Sequence, residues 1–107
     1  MSEQQKEQQK KSPFIGGEVT HTIPESNLWD AVEITWRPPC WEEFAKEQTR
    51  QFRNLTDTKG SAEFLARHIV RWSISEPPTA ENIQRLHGRL ADAMLSLVLF
   101  GLGMSKN

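Results

Sequence analysis

Read for the alternation of apolar and polar positions, the chain divides into an extended front and a helical rear. Residues 18–23 (EVTHTI) place Val19 and Ile23 at an even spacing with threonines between them, the pattern of a short β-strand. Turn chemistry follows in residues 24–27 (PESN). Residues 31–37 then alternate again, with Val32, Ile34 and Trp36 on one face and Glu33, Thr35 and Arg37 on the other. The two runs predict an antiparallel hairpin. An isolated hairpin is marginal in water, so its apolar face must lie on helices or on another subunit.

Pro38-Pro39 ends the second strand and opens a helix, because proline is favoured in the first helical turn. Trp41, Phe44, Ala45, Gln48 and Phe52 recur at mostly three- and four-residue steps, one helical face expected to lie on the core. Glu42 and Glu43 in the first turn and Arg50 and Arg53 in the last suit the helix dipole. Residues 54–60 (NLTDTKG) read as a loop, and Ser61 as the N-cap of a second helix with the stripe Phe64, Leu65, His68, Ile69 and Trp72. After the connector SISEPP, Thr79 caps a short helix over residues 79–86. Gly88 interrupts it, and a last helix over residues 89–101 ends at Gly101 or Gly103. The expectation is an α+β fold: a small N-terminal β-hairpin followed by three to four α-helices in a single domain over residues 14–104.

The two ends stand apart from this pattern. Residues 1–13 form a polar leader rich in Gln, Glu and Lys, without the apolar surface to offset ordering entropy, and are expected to be disordered. Residues 90–104 are almost entirely apolar, with Asp92 their only charge. Within that run, Leu90, Met94, Leu97 and Val98 form one helical stripe suited to the core. Leu95, Leu99, Phe100 and Leu102 fall outside it and are expected to be available to a partner. Trp29, beside Leu28 in a turn-like segment, joins them as a surface tryptophan of the kind enriched at interaction hot spots.

Composition narrows the function classes. Thirteen basic residues against fourteen acidic, with the arginines dispersed, do not make the basic footprint that phosphate contacts require, so no nucleic-acid partner is expected. One cysteine excludes an internal disulfide and a multi-thiolate metal site. The N-terminus lacks an apolar signal region and the C-terminal run is shorter than the ~20 residues of a membrane span. A cytoplasmic protein without a membrane partner is expected.

Chemistry-bearing residues offer little. His21, His68 and His87 are too dispersed for a helical zinc pair, and His68, on an apolar stripe, reads as a partly buried structural histidine. Cys40 has no base beside it in sequence and occupies a helix-cap position, with Glu43 as the reciprocal partner of a capping box. Glu42 and Glu43 point about 100° apart on a helix and cannot converge on one substrate atom. Glu76 and Glu81 read as solvated charge. No catalytic, cofactor-binding or metal residue is expected.

Several phrases together carry a resemblance. A strand pair leads into ITWRPP (residues 34–39) and the helix start WEEF, followed by FLARHIVRW (64–72), TAENI (79–83) and the closing LSLVLFG (95–101). This order, over residues 15–102, resembles the tail assembly chaperones of long-tailed bacteriophages and prophages. The resemblance implies a non-enzymatic helper in the bacterial host cytoplasm that binds the tape-measure protein and tail-tube subunits. It also implies self-association as a homo-oligomer and a longer form made by translational frameshifting. The alternatives are a structural particle component, such as a small head-tail connector or tail-completion subunit, and another small protein-interaction domain.

Overall fold

Two alternating runs pair as their pattern requires, and a third strand joins them. In a computed structural model that describes residues 16–101, β1 (Val19–Ile23) and β2 (Val32–Trp36) are antiparallel, with Val19 opposite Trp36, His21 opposite Ile34 and Ile23 opposite Val32. The expected leader (residues 1–13) and Leu102 lie outside the described residues. β3 (Ile69–Trp72) pairs antiparallel with the other edge of β2, so the sheet order is β1-β2-β3 with β2 central. Val32, Ile34 and Trp36 are buried together on one face, the period-two arrangement of a half-covered sheet. Thr35, expected in solvent, is 3% exposed: it lies between Thr20 and Arg71 across the strands and shares a 2.8 Å hydroxyl hydrogen bond with Thr20.

Among the described residues, four helices follow or flank the strands: α1 (Trp41–Arg53), α2 (Thr58–His68), α3 (Ala80–Gln84) and α4 (Gly88–Phe100). The fold is α+β, with a three-stranded sheet in place of the expected hairpin. The second helix does not reach Trp72. It ends at His68, and Ile69 is already extended at φ −75° and ψ 122°. Residues 69–72 (IVRW) are β-branched or aromatic at three of four positions, the residue types that suit a pleated surface. The Arg37 N–H donates to the His68 carbonyl and the Ser73 N–H to the Glu33 carbonyl, both at 2.9 Å, extending the β2–β3 pairing at both ends.

Helix boundaries follow from their caps. α2 begins before Ser61 because Asp57 is its N-cap, its carboxylate accepting the Gly60 N–H at 3.0 Å. Thr79 caps α3, as expected, by accepting the Asn82 N–H at 3.2 Å. That helix is shorter than expected, and Arg85 and Leu86 leave it through bonds to the carbonyls three residues back. Gly101, at φ +80°, ends α4 and donates its N–H to the Leu97 carbonyl at 2.8 Å.

The core lies between the sheet and the helices. Trp36, Phe64, Ile34, Leu65, Met94 and Val98 are its most enclosed large side chains. Leu90, Met94, Leu97 and Val98 of α4 face inward as their spacing indicates. Of the α1 face expected on the core, only Phe44 lies there; Trp41, Ala45, Gln48 and Phe52 are exposed. Trp41 is 85% and Phe52 86% exposed, whereas Phe44, Glu47 and Arg50 turn toward the domain.

Candidate protein-interaction surfaces

The orientation of α1 is set by charge more than by apolar contact. Its only fully buried residue is Glu47, whose carboxylate accepts two bonds from the Arg50 guanidinium and one from Gln51 Nε2 at 2.8 Å. Arg50 continues outward from this pair. Its Nη1 donates to Asp57 Oδ2 at 2.7 Å and its Nη2 to Ser61 Oγ at 2.7 Å, which joins α1 to the first turn of α2. Ser61, expected as a cap, is used here instead. Gly60 makes the approach possible, since a Cβ there would stand 2.6 Å from both Arg50 Nη1 and Asp57 Oδ2.

The electrostatics match this geometry. The hydrogen bond to Glu47 raises the pKa of Arg50, opposed by burial and reinforced by the Asp57 carboxylate. The Gly60 N–H holds the Asp57 carboxyl below the ordinary carboxylate range, with Arg50 adding to the effect. The network fastens a helix that has little apolar surface turned inward.

A second tie holds the start of α1. Cys40 is its N-cap, and the Glu43 carboxylate accepts the Cys40 N–H at 3.2 Å, the reciprocal bond expected of a capping box. The same Glu43 oxygen lies 4.0 Å from His68 Nε2. His68 is buried, lies against Phe64 at a 45° tilt with ring centroids 4.6 Å apart, and directs Nδ1 at the Arg37 carbonyl oxygen at 3.0 Å. A carbonyl only accepts, so Nδ1 carries the proton. The environment is that of a structural histidine. Among the described residues, no group of three His, Cys, Asp or Glu side chains is placed to hold a metal ion, and no helix is long and apolar enough to cross a membrane.

The residues expected to meet a partner are not gathered on one surface. Leu99 belongs to the core at 9% exposure, because the inward face of α4 is wide enough to take Leu97, Val98 and Leu99 together. Trp29 is half-buried against the core. Its indole N–H donates to the Pro24 carbonyl at 3.1 Å and its ring lies 6.0 Å from that of His87, at the start of α4. Phe100 stands at the other end of that helix, 46% exposed, and meets Phe44 edge-on at 5.7 Å. At 1.5 Å per residue the helix separates the two by about 20 Å.

Leu95 is placed differently. It lines an open groove of about 510 Å³ between α2, α3 and α4, with the buried Leu65 and Ile83 beneath it and Leu55 and Leu86 more exposed among its apolar residues. Gln51, Asp57, Arg89 and Asp92 contribute polar groups to the same groove. A groove lined about equally by apolar and polar residues is suited to receive an amphipathic helix.

Trp41, Phe52 and Leu55, which the sequence reading had not assigned to a partner, are the most exposed large apolar residues described, at 85%, 86% and 84%. Trp41, Ala45, Gln48 and Phe52 succeed one another at steps of four, three and four residues, and all four are exposed. They form one continuous stripe along α1. The spacing was legible, but the competing Phe44–Glu47–Arg50 face carries the buried network and therefore turns inward. No protein-family model, curated protein or solved structure matches the chain.

Proposed function

We propose that this chain is a non-enzymatic assembly factor of the phage tail-chaperone kind, which binds a tape-measure protein and tail-tube subunits in the host cytoplasm by covering apolar helical segments. The groove lined by Leu95 carries the reading. Leu55, Leu86 and Leu95 leave apolar surface open there, in a chain whose histidines and cysteine are engaged in structural positions or stand apart. A helix laid along the groove would bury one face on Leu55, Leu86 and Leu95 and turn its polar positions to the polar residues around them.

The order of strands, capped helices and apolar last helix supports the same reading through the resemblance it carries. The reading requires a tape-measure gene beside this one, and co-expression of the two is the test. The expected result is a soluble complex that Leu95→Glu disperses, leaving the tape-measure protein insoluble while the variant keeps its own far-UV circular dichroism spectrum. An insoluble tape-measure protein in the presence of the unaltered chain contradicts the proposal. So does recovery of the chain from mature particles at stoichiometric amount, which would make it a structural subunit.

A further inference from the structure

The exposed stripe of α1 lies on a different face from the Leu95 groove, and its charges identify what fits it. Trp41 and Phe52 stand at its two ends, with Ala45 and Gln48 between them. Glu42 and Arg53, by helical geometry, flank the stripe on its solvent side, one at each end. The helix is therefore acidic beside Trp41 and basic beside Phe52. The Glu42–Lys46 ion pair within the helix, at 3.3 Å, is 75% exposed on both sides and leaves the carboxylate open to other partners.

We infer that this face binds a second copy of the chain, with the two α1 helices antiparallel about a two-fold axis near the middle of the helix. In that register Trp41 of each copy lies on Phe52 of the other, Ala45 on Gln48, and Glu42 beside Arg53. A two-fold interface must be self-complementary, and the antiparallel register sets the acidic end of the stripe beside the basic end of its copy. Parallel pairing would stack Trp41 on Trp41 and set the flanking charges of the two copies on opposite sides of the seam, with no ion pair across it. Small Ala45 and narrow Gln48 at the centre let the backbones approach, while the aromatic residues at the ends fill the wider spaces.

The area decides the strength. A buried Trp or Phe removes about 150–250 Å² from water, so two copies of Trp41 and Phe52 together hide about 600–1,000 Å². A stable standard interface buries ~1,600 Å² in all. The pair is accordingly a weak dimer that forms at micromolar concentration and above. It does not depend on the tape-measure reading, because the chain alone forms it.

Sedimentation velocity of the full chain alone, from low to several hundred micromolar, tests it. The expected result is a concentration-dependent shift from monomer to dimer, weakened about 30-fold or more by Trp41→Glu or Phe52→Glu, the loss expected of hot-spot residues. Charge variants read the register. Glu42→Arg and Arg53→Glu should each weaken the dimer about threefold to tenfold at low salt, and the double variant should restore it. Circular dichroism confirms that α1 is retained in each. A monomer at every concentration overturns the inference, whether the stripe serves a different protein or the chain's own first fifteen residues. A dimer indifferent to these substitutions, or weakened further by the double charge exchange, overturns it equally.

Discussion

Replacing Arg50 with alanine is expected to destabilise the protein by about 2–3 kcal/mol. The figure rests on Glu47, which is buried and would keep only the Gln51 amide as a partner. Breaking a fully buried pair costs about 3–5 kcal/mol; the lower range applies because the Arg50 side chain is 27% exposed and solvent screens part of the interaction. A double variant, Glu47→Leu with Arg50→Met, should recover most of the loss, since apolar side chains of similar volume remove both charges together. Chemical denaturation of the three proteins checks both statements. An alanine variant as stable as the parent would mean that the network does not hold α1.

The same network gives a direction to the pH dependence. Asp57 has its pKa lowered in the folded state, by the Gly60 N–H first and Arg50 after it. Its contribution to stability is therefore present above the ordinary carboxylate range and is lost as pH falls through the depressed value.

Leu99 and Phe100 are adjacent in sequence and are expected to respond very differently to serine. Leu99→Ser should cost about 3–4 kcal/mol, within the range for emptying a buried leucine site and with a hydroxyl added to an apolar core. Phe100→Ser should cost about 1 kcal/mol, chiefly its edge-on contact with Phe44. Thermal or urea unfolding of the single variants separates them. Changing both residues at once tests the core before it tests any partner, which is the consequence of finding Leu99 inside.

The elements legible in the sequence are those where one pattern had no rival. Alternation in residues 32–36 identified β2, Thr79 identified the start of α3, and the spacing of Leu90, Met94, Leu97 and Val98 gave the inward face of α4. The misreadings occurred where two patterns fitted the same residues. Phe64, Leu65, His68, Ile69 and Trp72 satisfy a helical stripe, yet IVRW has the composition of a strand and β2 offers a free edge to it. On α1, Trp41 and Phe52 looked like core because they are the larger apolar residues. The helix turns on Phe44, Glu47 and Arg50 because the buried ion pair has partners only on that side. Local periodicity does not reveal a network whose members come from two helices.

The apolar last helix is mostly core, and what it leaves outside is Leu95 at a groove and Phe100 at its end. The exposed aromatics lie instead on a helix held in place by charge.

Titration calorimetry of the full chain with an apolar helical segment of the tape-measure protein tests the central claim most directly. The account requires saturable binding with a negative heat-capacity change, the mark of apolar burial, and loss of that binding in Leu95→Glu while Phe52→Glu leaves it unchanged. Binding that is absent, or that survives Leu95→Glu with the same heat-capacity change, would contradict it.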